Sequence, residues 1–315
     1  MPEDKIPVAP LLQEARFPDS GVAHRRILTI SALAILVAIG AGFIAEILTS
    51  LIGFVTNLAF YGRISADFIS PAENDLGLAV ILIPVIGGLV VGLMARYGSA
   101  AIRGHGIPEA METILLNESK VSPSVTFLKP LSAAVAIGTG GPFGAEGPII
   151  ATGGAFGSLF GQFLRTTADE RKILLCAGAA AGMAATFGSP VAAVLLAIEL
   201  LLFEYRARSL VPVALAAATA AGIRALFHGT APIFHMSDTI QVPDAALPAY
   251  IVLGAAVGIT SVYVTRGVYA VEDLFERLPM HWMWWPAIGA VAVGVVGYIA
   301  PRTLGVGYDN IDAML

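Results

Sequence analysis

Two short segments place titratable side chains in glycine-rich loops. They are Gly104-His105-Gly106-Ile107-Pro108-Glu109 and Gly144-Ala145-Glu146-Gly147-Pro148. Each carries a proline and opens into an apolar run. Proline in a first helical turn loses only an N–H that had no partner, so both segments read as helix starts. A helix N-terminus in an apolar chain presents unpaired N–H groups and a partial positive charge. An anion satisfies both. Two such starts in one chain point to an anion path.

Glu146 is the sharpest candidate. It stands between small residues, immediately before an expected helix start, where an ionised carboxylate must face water, a cation or a helix N-terminus. Folded over the adjacent helix end it would occupy an anion site itself, and protonation or displacement would release it, which makes a gate. The plain alternative is a capping acid. His105 could offer a ring N–H to an anion. Its spacing to Glu109 resembles half of a metal site, but no second ligand pair is visible and no metal is expected. Glu109 and Glu112 suit the positive end of a short helix. Glu199 lies inside the apolar run Val191–Phe203 and needs water or a partner. Glu46, in the first long apolar run, has the same standing, and Glu204 is expected to reach Arg206 or Arg208.

The elements holding these groups are membrane helices. The chain has 315 residues, 57% hydrophobic and 13% charged, against about 25% charged in soluble domains. Apolar helices are expected at about 27–60, 76–95, 126–139, 148–164, 172–187, 191–204, 209–227, 246–278 and 283–300, with a short piece at about 108–117. A vertical crossing takes about 20 apolar residues. The mixture of shorter and longer runs predicts half-spanning, tilted and broken helices. The 34 glycines and recurrent small residues, such as Gly153, Gly154, Gly157 and Gly161, predict close helix contact. Trp282, Trp284 and Trp285 read as an interfacial anchor. The basic content near 96–103, 165–172 and 206–208 predicts a shared cytoplasmic face. Residues 1–26, ending in His24-Arg25-Arg26, read as a cytoplasmic segment without a cleavable signal. A single cysteine, Cys176, excludes a disulfide framework. No basic run suits nucleic acid.

Three landmarks in order and spacing resemble the CLC family of chloride channels and chloride/proton antiporters. Gly104-His105-Gly106-Ile107-Pro108 is similar to the family's Gly-Ser-Gly-Ile-Pro loop. Gly144-Ala145-Glu146-Gly147-Pro148 is similar to its Gly-Arg/Lys-Glu-Gly-Pro loop. Gly188-Ser189-Pro190 with Val191–Glu199 resembles the helix ending near the cytoplasmic proton entrance. The resemblance implies an all-α polytopic membrane protein of tilted and broken helices in inverted repeats. The first repeat would cover about 27–228 and the start of a second about 246–315. It implies a homodimer in the lipid bilayer of a bacterial or archaeal cell, with chloride as the transported ion and no cofactor. By that analogy His105, Gly106, Ile107, Gly147 and Pro148 line the anion site and Glu146 is the gating glutamate.

Departures from the family pattern shape the expectation. His105 replaces the serine that touches the central anion, which leaves fluoride selectivity as a further option. Ala145 replaces a basic residue and lowers the local positive potential. Leu200 stands where antiporters carry a proton-relay glutamate. That favours a gated channel, with an antiporter relaying protons through Glu199 or Glu204 as the alternative. The family's second-repeat Gly-x-Phe-x-Pro loop and pore tyrosine are not found, and Tyr308 is not that tyrosine. On this resemblance the chain is the N-terminal part of a longer protein with an incomplete second repeat, and a non-conducting fragment is a further alternative. An intramembrane hydrolase is disfavoured, since no His-Glu-x-x-His, Gly-x-Ser-x-Gly or paired intramembrane aspartates occur.

Overall fold

A computed structural model describes residues 23–104, 106–231, 233–234 and 246–314. His105 and most of the expected N-terminal segment lie outside the described residues. Helix α1 runs Ala23–Tyr61, α2 Leu82–Leu93, α3 Ile107–Leu116 and α4 Pro123–Gly138. They are followed by α5 Glu146–Phe163, α6 Ala168–Phe187, α7 Pro190–Ala197 and α8 Ala207–His228. Then come α9 Leu247–Glu276, α10 Trp285–Ile299 and α11 Tyr308–Asp312. No strand occurs among the described residues.

Every expected helix is present, with ends shifted by a few residues. Among the described residues five segments are long and apolar enough to cross a membrane: Arg26–Tyr61, Gly77–Gly98, Ala207–His228, Leu247–Glu276 and Trp282–Ile299. Others are shorter. The 10 residues of α3 rise about 15 Å, half of a hydrocarbon core. Helix α2 is entered through a 3₁₀ turn at Gly77–Ile81 and leaves through a π turn at Met94–Gly98. Helix α7 ends in a π turn at Ile198–Leu202.

Helix α6 is the hub, in contact with α1, α5, α7 and α8. Its start is set by a capping box: the Glu170 N–H donates to Thr167 Oγ1, and the Thr167 N–H donates to the Glu170 carboxylate. Its end is set by Gly188, whose φ of 61° suits glycine. Between them Leu174, Cys176, Ala177, Ala181 and Ala184 are fully buried. Alanine and glycine there let neighbouring backbones approach closely. A Cβ on Gly153 of α5 would strike the Gly178 carbonyl of α6, and one on Gly178 would strike the Gly153 carbonyl. The small residues therefore mark close helix contact, as expected.

A second layer joins α2 to α10, where Gly88 and Gly92 lie against the carbonyls of Pro286 and Met283. Helix α9 differs from the rest, since none of its 30 residues is buried.

Candidate anion site at two helix starts

The segment before α3 is shaped by two glycines with positive φ, Gly104 at 99° and Gly106 at 93°. It is held by Lys129 of α4, a residue only 5% exposed. Lys129 Nζ donates to the carbonyls of Ile102 at 3.0 Å, Arg103 at 3.4 Å and Gly104 at 3.1 Å. Three carbonyls offset the cost of burying an ammonium group, and the ammonium in turn fixes the loop. Lys129 escaped the sequence reading, although a lone lysine in the apolar run 126–139 was a visible signal.

Glu109, the third residue of α3, reaches back and accepts the Gly106 N–H at 2.5 Å. Its role as a cap is thus realised. It also occupies one of the N–H groups that the sequence assigns to an anion. Ile107 is half-buried against the main core.

The segment before α5 turns at Gly140, φ 96°. Its first helical bond runs from the Ile149 N–H to the Ala145 carbonyl at 3.0 Å. Helix α5 therefore begins at Glu146, two residues ahead of the start expected at 148, and Glu146 lies within the first turn. Pro148 becomes the third residue, still within the turn where N–H groups have no helical partner. Pro148 itself has no N–H to donate.

Glu146 is half-buried and folds back over its own loop, so that a Cβ on Gly144 would run into Glu146 Oε2. Among the described residues its carboxylate makes no hydrogen bond or ion pair. The two helix starts meet: a Cβ on Gly106 would run into the carbonyl of Gly147. Gly104, Gly106, Lys129, Gly144, Glu146 and Gly147 all border one cleft of about 1480 Å³. The tertiary structure thus brings together Gly106, Ile107, Glu146, Gly147 and Pro148, while His105 falls outside the described residues.

The acids near α7 lie apart from this cleft. Glu199 is exposed and has no partner among the described residues. Leu200 packs against the main core. Phe203, with φ 53°, turns the chain and directs Glu204 into a cationic cluster. Ser209 Oγ donates to it, and Lys172 Nζ, Arg206 Nε and Arg208 Nη2 lie 3.7, 3.7 and 3.9 Å away. Burial opposes its ionisation, but Ser209 and the three cations outweigh that and hold its carboxyl below the usual range. Glu46, the weaker candidate in α1, pairs with His228 at 2.9 Å.

The basic side chains make specific contacts. Arg26 Nη2 donates to Glu170 at 3.0 Å, and Arg171 Nε donates to the Glu118 carbonyl at 3.0 Å. Lys172 meets Glu204. Arg103 instead stacks on the Trp282 ring at 4.4 Å. Among the described residues no cluster of metal-ligating side chains occurs.

A profile described as "Voltage gated chloride channel" matches residues 86–315. The chain is 29% identical over 297 residues to the voltage-gated ClC-type chloride channel ClcB of Shigella boydii, covering 92% of this chain and 69% of that one. It is 28% identical over 250 residues to the chloride channel protein CLC-e of Arabidopsis thaliana, covering 76% of this chain and 34% of that one. Among solved structures it is similar to a slow cyanobacterial Cl⁻/H⁺ antiporter, with a TM-score of 0.74 and 24% identity, over 89% of this chain and 66% of that one. The chain spans about a third of the length of the Arabidopsis relative and about two thirds of the antiporter. The fold, the apolar spanning helices and the family match together make this a multi-pass integral membrane protein that belongs to the voltage gated chloride channel (CLC) family.

Proposed function

We propose that the chain serves transmembrane chloride transport, as a gated channel in which Glu146 is the gate. The observation carrying this reading is the meeting of the α3 and α5 starts around a half-buried carboxylate without a partner among the described residues. Both helix ends bring partial positive charge to one place. Glu146 acts there as a tethered anion. Chloride competes with it for the same N–H groups, and a proton on the carboxylate removes its claim. Gly147 and Ile107 would supply N–H groups to chloride, with Gly106 joining when Glu109 lets go. His105 would add a ring donor.

Coupled exchange of chloride for protons is the second reading, favoured by the similarity to the cyanobacterial antiporter. Leu200 weighs against the usual relay, because a packed leucine carries no proton. Glu204 is a poor relay at neutral pH, being held ionised by its cations. Glu199, exposed and without a partner among the described residues, is the remaining candidate. The inverted repeats and a homodimeric assembly belong to the same reading.

Chloride efflux from liposomes containing the protein, with proton movement recorded in the same vesicles, tests it. Chloride efflux without proton uptake, made insensitive to pH by Glu146→Gln, is the expected result. Proton uptake in fixed ratio to chloride would replace the channel by the exchanger. Absence of anion flux would remove both.

A further inference from the structure

We propose that the Tyr308 hydroxyl is the second resting place of the Glu146 side chain, receiving its carboxylate when an anion displaces it from the α5 start. Tyr308 is then a positioning residue for the gate, and the inference rests on the gating role proposed above.

Among the described residues the Tyr308 hydroxyl is buried and has no hydrogen-bond partner. Buried hydroxyls are ordinarily paired, so an orphan marks a place where something else binds. The ring is fixed on three sides. Phe68 stacks on it at 6.2 Å, and Phe187 and Phe234 meet it edge-on at 6.3 and 6.0 Å. The donor therefore has a defined position.

Three further contacts tie its segment to the one that leads into the gate. The Gly305 N–H donates to the Gly140 carbonyl at 3.1 Å, tying the loop before Tyr308 to the turn that leads into Glu146. Leu304 packs against Gly140. Ile137 borders both the cleft onto which Glu146 opens and the small cavity lined by Tyr308. Burial holds the phenol proton on, and the Glu146 charge holds it further. Tyr308 thus stays a neutral donor, suited to a carboxylate and unable to carry charge itself.

Without such a donor, an ionised Glu146 leaving the helix start would lose its favourable electrostatics and gain nothing. Opening would then require protonation. With the donor, the ionised side chain has two sites and chloride alone can shift it between them.

The test is a double-mutant cycle in liposomes, with chloride efflux measured from acid to neutral pH for wild type, Tyr308→Phe, Glu146→Gln and the double variant. Phenylalanine keeps the aromatic packing and removes only the hydroxyl. Tyr308→Phe is expected to slow efflux about tenfold at neutral pH, the worth of one hydrogen bond to a charged group. A carboxyl that has taken up a proton makes no claim on the helix start, so the effect is expected to fade towards acid pH. In the Glu146→Gln background it is absent throughout. The cleft carboxylates Glu109, Glu112, Glu272 and Glu276, the Lys129 amine, and Asp67 and Asp309 beside the aromatic cluster are common to all four proteins and cancel in the cycle.

An equal Tyr308 effect in both backgrounds, or none in either, overturns the inference and leaves the gate standing. An unchanged pH profile in Glu146→Gln overturns the gate itself. A second measurement needs no flux: 3-fluorotyrosine at position 308, followed by fluorine NMR in detergent. Its resonance should move with added chloride in wild type and stay fixed in Glu146→Gln. A resonance indifferent to chloride in both rejects the docking role.

Discussion

The starts of α3 and α5 share their ingredients: glycines before the helix, a proline in the first turn and a glutamate nearby. They end in opposite states. At α3 the glutamate is the third helical residue, the position from which a carboxylate reaches back to the N-cap, and Glu109 takes the Gly106 N–H. At α5 the glutamate is the first helical residue, one turn-position too early to cap its own helix. Glu146 folds over Gly144 and stays without a hydrogen-bond or ion-pair partner among the described residues. Two residues of register separate a carboxylate committed to structure from one free to respond to an anion or a proton. Support differs as well. Lys129 grips three carbonyls under the first loop, while the second loop is tied at Gly140 to the segment carrying Tyr308.

Variants at these sites break or sharpen the contrast. The largest effect is expected for Gly106→Ala. It places a Cβ against the Gly147 carbonyl at a φ of 93° and should destabilise on the order of 3 kcal/mol. Thermal unfolding followed by size-exclusion would show it, and a wild-type midpoint would mean that the two starts do not touch.

Lys129→Met comes next. It strands three carbonyls and should cost about 1–3 kcal/mol, lowering the midpoint of the same assay. If the first loop were self-supporting, the midpoint would not move.

Glu109→Ala removes the cap on α3, worth about 1 kcal/mol. Its efflux should keep the wild-type pH profile, whereas Glu146→Gln should flatten it. A flattened profile in both variants would erase the distinction between cap and gate.

The smallest effect concerns Glu204, away from both starts. Its folded-state pKa lies below the ordinary carboxylate value. Its contribution is therefore present above that value and lost as pH falls through the folded one. Glu204→Gln should lower the midpoint modestly at neutral pH, by less than about 1 kcal/mol, and should converge with wild type in acid. A gap that persists in acid would assign the effect to packing.

Much of this was legible along the chain. The helices follow from apolar runs of recognisable length, and the glycine stripe of α5 announces its contact with α6. Glu146 is conspicuous because a carboxylate between small residues in an apolar region has few places to go. Lys129 was equally conspicuous and was passed over, although the same physics of buried charge applies to it. The start of α5 was misplaced by two residues because Pro148 is tolerated throughout the first turn, so a proline marks a helix start only loosely. The Glu204 cluster was half visible, since Arg206, Arg208 and Ser209 are near neighbours in sequence while Lys172 joins only through folding.

Local composition was therefore enough to determine the membrane class, the helices and the two glycine- and proline-bearing helix starts, because hydropathy and helix termination depend on residues a few positions apart. Only the tertiary structure decided that the two starts meet at Gly106 and Gly147, and that a phenol without a partner among the described residues is tied to the segment leading into Glu146. Those facts depend on backbone approach and side-chain partners separated by about 40 to 160 positions in the chain, distances over which spacing in sequence carries no geometric information.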